Sequence, residues 1–133
     1  MATILVCHAN NRIRGAPYDD FPESGWDKIY ALNVKAMFYT TVGLHRLLTK
    51  GATADNPSRV INIASMAAIQ TVDVTTGPEG GLSAPGHGTF SYGPSKAACV
   101  HLSKMQASKL MVEHVTVNCV CPGAFPSREW YRS

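Results

Sequence analysis

Short β-branched runs alternate in this chain with stretches far too long to be hairpin turns, and this alternation restricts the fold more than any other feature. Thr3 to Cys7, Arg59 to Ala64 and Val115 to Cys121 are short and apolar, and they lack clean polar alternation. Such runs read as strands buried in a parallel sheet. Between them, Ser24 to Lys50 and Ser91 to Val112 read as two long helices. Strand, helix, strand, helix, strand requires right-handed crossovers and an open α/β sheet with covered faces. Ligands of such sheets bind beyond the carboxyl ends of the strands. His8-Ala9-Asn10, Ser65 and Pro122-Gly123 fall there, one group per strand.

Tyr92-Gly-Pro-Ser-Lys96 opens the second helix. Residues four apart on a helix share a face, so the Lys96 ammonium sits beside the Tyr92 phenol. A nearby positive charge favours phenolate, which makes a tyrosine a usable general acid or base. On spacing alone, a solvated lysine beside a half-buried tyrosine is the simpler reading. Asn33 adds a second signal. Trp26, Tyr30, Met37, Thr40, Leu44, Leu47 and Leu48 form a mostly apolar helical stripe with Asn33 in its middle. A buried amide must bond backbone, water or a ligand, and the sequence leaves these alternatives open. Ser65, at a strand end, is equally ordinary turn chemistry.

Five motifs then occur in order: Ile4-Leu-Val6 with His8-Ala9-Asn10, Trp26-Asp-Lys28 through Leu32-Asn33-Val34, Arg59 to Ile63 with Ser65, Tyr92 to Lys96, and Val117-Asn118 through Pro122-Gly123. Together they resemble the classical short-chain dehydrogenases/reductases over nearly the whole chain. Phe21 to Trp26, Asn56 to Arg59 and Phe125 to Ser127 look most like the β-ketoacyl reductase branch of the rhamnolipid type.

The resemblance implies a catalytic set of Asn33, Ser65, Tyr92 and Lys96. Tyr92 exchanges a proton with the substrate oxygen. Lys96 lowers the Tyr92 pKa and holds the nicotinamide ribose hydroxyls. Ser65 donates a hydrogen bond where negative charge develops on the carbonyl oxygen, and Asn33 binds a relay water. Ala9, Asn10, Tyr92, Lys96, Pro122, Gly123 and Ser127 are the implied contacts to NADP or NAD, with NADPH favoured by the branch. The substrate is a small carbonyl compound or alcohol, a ketone or β-ketoacyl group.

The implied fold is a partial Rossmann-like, doubly wound parallel sheet of three strands and two long helices. It lacks the glycine-rich nucleotide-binding unit on which such folds hold the cofactor phosphates. Residues 1–133 are therefore expected to be one incomplete catalytic half-domain, with 75–91 a glycine-rich loop insertion. Where the family reads Asn-Asn-Ala-Gly, Cys7-His8-Ala9-Asn10 keeps only the alanine. These features suggest a truncated form of a longer reductase whose first strand here has lost a neighbour and shows an apolar edge. In the family, the two long helices pair with their copies in a homo-oligomer. The rival reading is thus a non-catalytic dimerisation partner, or a dominant-negative fragment of a full-length reductase.

Composition excludes several other roles. With 45% hydrophobic and 16% charged residues, the chain suits a partner-seeking surface. A net charge of +3 with scattered Lys and Arg gives no nucleic-acid footprint. No basic leader or long apolar run marks a signal or a membrane span, and a cytoplasmic setting is expected. Cys7, Cys99, Cys119 and Cys121 form no disulfide framework. A zinc site from Cys7, Cys119, Cys121 and His8 is conceivable, but Cys-x-Cys within a strand is a poor ligand spacing, and no metal is expected.

Overall fold

A computed structural model describes residues 3–8, 16–70 and 87–123. Three strands, β1 (Ile4–His8), β3 (Ser58–Ile63) and β5 (Val115–Val120), form one sheet in the order β1-β3-β5. Both pairings are parallel, with Ile4 opposite Arg59 and Ser58 opposite Val115 at the ladder starts. The expected strands are therefore present within a residue or two. Two two-residue strands, β2 (Ala16–Pro17) and β4 (His87–Gly88), pair antiparallel as a separate ladder.

The first long helix is not continuous. It runs as α1 (Glu23–Tyr30), a π-helical segment (Ala31–Ala36), α2 (Met37–Gly43) and, after a break at Leu44, α3 (His45–Thr49). The π segment changes which residues face inward. Ile29, Asn33, Met37 and Thr41, each four apart, are buried. Trp26, Thr40, Leu44 and Leu47 of the expected stripe are exposed instead. An α-helix of 3.6 residues per turn would carry a strict four-residue repeat around its surface, and the wider π turn keeps it on one side.

The second long helix is α4 (Tyr92–Leu110), within a residue or two of the expected span. Its buried face is Ser95, Lys96, Cys99, Ser103 and Gln106, whereas Met105, Met111 and Val112 are exposed. Small polar side chains let the helix lie close to the sheet, and hydrogen bonds add to its apolar contacts. Asn62 Nδ2, wholly buried in β3, donates to Ser103 Oγ at 2.9 Å, and Ser103 Oγ donates to the Cys99 carbonyl.

Both helical layers cover the same face of the sheet. Leu48, Val60, Val115 and Val117 form one core cluster, supported by Leu5, Ala107 and Leu110. Met37, Ala64 and Cys99 form a second with Cys7, Cys119 and Cys121 against it. Each aliphatic side chain so buried contributes about 1.5–3 kcal/mol. The other face, which the sequence reading expected to be covered, is open among the described residues. Ile4 is 63% and Val6 56% exposed there, and Val120 is exposed as well.

Candidate active site

The strand ends and the start of α4 meet at one end of the sheet. Beyond β3, Ala64 N donates to the Val120 carbonyl and Met66 N to the Pro122 carbonyl, so the ladder continues to Pro122. The chain then turns into a 3-10 helix, Met66–Ala68, capped by Ser65 Oγ, which accepts from Ala67 N at 3.2 Å. Gly93 allows α4 to approach this turn, since a Cβ there would lie 3.2 Å from the Ala67 carbonyl oxygen. Sequence and sheet geometry thus bring Ser65, Pro122 and the Tyr92 end of α4 together.

Lys96 is 2% exposed, and its Nζ donates to the Ile63 carbonyl at 3.0 Å. The same nitrogen lies 5.7 Å from the centroid of the Tyr92 ring, as the four-residue spacing predicts. Burial pulls the Lys96 pKa down, while the thiols of Cys99, Cys119 and Cys121 act the other way. Burial likewise pushes the Cys99 thiol up to about 12, with Cys119 adding to it and the Lys96 charge opposing. Both shifts have the same cause, because charged forms are poorly solvated in this core.

Asn33 sits inside the π segment and is 2% exposed. Its Nδ2 donates to Ser95 Oγ at 3.0 Å, and Ser95 Oγ donates to the Tyr92 carbonyl at 2.7 Å. The buried Asn33 Oδ1 has no hydrogen-bond partner among the described residues. Asn33 also lines an open cleft of about 250 Å³ beside the end of β1, together with Cys7, His8, Met37 and Ile63. π-helical insertions recur at functional sites because they re-aim a side chain out of helical register.

Of the sequence-derived candidates, Asn33, Ser65, Tyr92, Lys96, Pro122 and Gly123 are thus gathered at the carboxyl end of the sheet. Ala9, Asn10 and Ser127 lie outside the described residues, as does most of 75–91. Two participants were not read from the sequence. Ser95 carried no signal beyond its place in the Tyr92-to-Lys96 motif, and the Ile63 carbonyl is a backbone atom. Cys99 was known only as one of four cysteines. The suggested zinc ligands are spread across the sheet: Cys7 and Cys119 stand opposite Asn62 from its two sides. Among the described residues no three His, Cys, Asp or Glu side chains are placed to hold a metal ion.

A parallel α/β sheet with its polar groups at the carboxyl strand ends is the architecture of Rossmann-like nucleotide enzymes. The short chain dehydrogenase family pattern matches residues 3–130, and the chain belongs to that family of oxidoreductases. It is 45% identical over 114 residues to the rhamnolipids biosynthesis 3-oxoacyl-[acyl-carrier-protein] reductase of Pseudomonas aeruginosa, covering 86% of this chain and 40% of the relative. It is 30% identical over 122 residues to the D-beta-hydroxybutyrate dehydrogenase of Cupriavidus necator, covering 92% of this chain and 40% of the other. Among solved structures, the Pseudomonas aeruginosa RhlG/NADP active-site complex superposes with a TM-score of 0.79 at 41% identity, covering 96% of this chain and 44% of that one. The chain therefore spans about 40% of the length of the curated relatives it matches.

Proposed function

We propose that this chain carries the proton-handling half of an NAD(P)-dependent carbonyl reductase, acting on a ketone or β-ketoacyl group or in the reverse direction. The observation that carries the proposal is the Lys96 amine, buried, held on the Ile63 carbonyl and facing the Tyr92 ring. A lysine is seldom buried without a task that needs its charge or its proton. Relatives named as a 3-oxoacyl reductase and a hydroxybutyrate dehydrogenase support the β-ketoacyl class. The similar solved structure is a complex with NADP, which supports NADPH.

The residues present fit the nicotinamide end of such a cofactor. Gly123 is exposed at the end of β5, and a Cβ there would meet nothing nearer than Met66 Sδ at 3.7 Å. Pro122 and Gly123 would lie against the ring, and Lys96 would hold the ribose hydroxyls. When bound, the cofactor supplies or accepts the hydride. The protein's part is to place charge and protons. Ser65 Oγ already accepts from Ala67 N, and its own proton is the group it would offer to the substrate oxygen. Tyr92 would give that oxygen its proton, and Asn33 Oδ1 would hold a relay water.

Titration of NADPH and NADH against the protein, followed by nicotinamide fluorescence, tests for the site. Tyr92→Phe should abolish turnover of a β-ketoacyl thioester while cofactor binding persists. Equal loss of both would sink the acid/base assignment. A second reading, a non-catalytic dimerisation partner, rests on the exposed Phe38, Tyr39 and Val42 of α2 and Met105 of α4. Co-purification with a full-length reductase, with no NADPH binding of its own, would favour it.

A further inference from the structure

Sulfur gathers at one point of the core that the roles given above do not use. Met37 opens α2, Cys99 lies on the buried face of α4, and Cys119 is on β5. Cys99 is 1% and Met37 5% exposed, and the Cys99 thiol donates to Met37 Sδ at 3.1 Å. The Cys119 thiol is close enough to interact with that of Cys99, and the Cys121 thiol with that of Cys119. Residues two apart in extended chain face the same way, so Cys119 and Cys121 both turn toward the cluster of Met37 and Cys99. Cys119 and Cys121 are only half-buried, so the sulfur atoms lead from the strand end into the core. A buried cysteine by itself is a small hydrophobe. What sets this group apart is charge, because the Lys96 ammonium, one helical turn from Cys99, interacts with the thiols of Cys99, Cys119 and Cys121 together.

We propose that Cys99, Cys119 and Met37 form a buried site for a soft monovalent cation of the Cu(I) class. Thiolate together with thioether selects soft cations, whereas Zn(II) takes Cys, His and carboxylate, usually four of them. The set uses neither Cys7 nor His8 and so differs from the zinc ligands considered above. Metal–sulfur bonds are about 2.3 Å long, so two sulfurs sharing a cation at a tetrahedral angle stand about 3.8 Å apart. The unbranched Met37 side chain need move by less than about 1 Å to open that space. On binding, the S–H bonds of Cys99 and Cys119 break, both sulfurs bond the cation, Met37 Sδ donates a lone pair, and both protons leave to solvent. No electron is transferred. Two thiolates on one monovalent cation carry one excess negative charge, and the Lys96 ammonium offsets it. The site requires no cofactor and no turnover, so it stands independently of the reductase reading.

Titration of the protein with Cu(I) in the absence of oxygen, against a competing colorimetric chelator, tests the site. One tight equivalent should bind, with thiolate-to-copper absorption in the ultraviolet. Because two protons leave, the apparent affinity should rise by about a hundredfold for each pH unit while both thiols are still protonated. Cys119→Ser, at a half-buried position, should abolish the tight equivalent. Met37→Leu conserves volume, so it should weaken binding while the metal-free protein melts nearly as before. Cys7→Ser should leave the titration unchanged. A tight equivalent that survives Cys119→Ser, full affinity in Met37→Leu, or an affinity independent of pH would each overturn the proposal. So would loss of binding in Cys7→Ser, equal affinity for Zn(II), or no tight binding at all.

Discussion

At the scale of single residues, the site is governed by what burial does to charge. Lys96 and Cys99 are one helical turn apart, and burial favours the neutral form of each. Their effects on stability run in opposite directions with pH. For Lys96 the folded-state pKa is lowered, so the unfolded chain binds more protons from that lowered value up to 10.5, and stability rises with pH across that window. Lys96→Met should remove this slope, seen as a stability difference from the unsubstituted protein that changes progressively as pH approaches 10.5. For Cys99 the folded pKa is raised, so its contribution is intact below 9.0 and is lost as pH rises toward about 12. Cys99→Ala should cost stability at neutral pH through the cavity it leaves, and the deficit should shrink in urea melts made between pH 9.0 and 12. A deficit that stays constant over that range would contradict the burial argument. Tyr92, Lys96, Asn33 and Ser65 stood out in the sequence only through the order of the five motifs, since residue type and spacing alone left an ordinary structural reading open for each. Ser95 did not, since a serine beside a lysine has no signature until its two hydrogen bonds are visible.

At the scale of elements, the segment entering α4 is fixed by rings. Phe90 stands edge-on to Tyr18 at 5.3 Å and to Phe21 at 5.7 Å, and Phe21 is in turn edge-on to Trp26 of α1. Gly88 makes room for this arrangement, because a Cβ there would lie 2.7 Å from the Phe90 ring. Gly88→Ala should therefore destabilise by about 1–3 kcal/mol, the usual cost of overpacking. Most of that cost should vanish when Phe90 is also changed to Ala, a coupling that a double-mutant cycle of denaturant melts measures directly. Additive costs would mean that Gly88 matters for its backbone and not for the ring. The strands were legible because three β-branched runs between long helical stretches leave little choice of topology. The break in the first helix was not, because a π turn arises from packing of Asn33 and its neighbours and not from local propensity. The buried face of α4 was not legible either, because the sheet accepts Ser95, Cys99 and Ser103, whose small size and hydrogen bonds permit close approach but carry no apolar periodicity.

At the scale of the whole molecule, one side of the sheet is built and the other is open. Among the described residues β1 is paired on one edge only, with β3, and its outward residues Ile4 and Val6 continue through Ile61 and Ile63 toward Val120. Among the described residues of this face Arg59, His8, Thr116 and Asn118 are polar. An apolar face joined to an unpaired edge is a template for association, and charges on edge strands are the usual protection against it. No helix among the described residues is long and apolar enough to cross a membrane. Sedimentation of the protein over a range of concentrations should show self-association. Val6→Lys should suppress that association, because its side chain points away from the core and a charge there costs little when monomeric. The same substitution should leave the thermal melt of the dilute protein nearly unchanged. If Val6→Lys instead unfolds the chain while association persists, the contact lies elsewhere, and the exposed Phe38, Tyr39 and Val42 of α2 become the surface to test with the same charge.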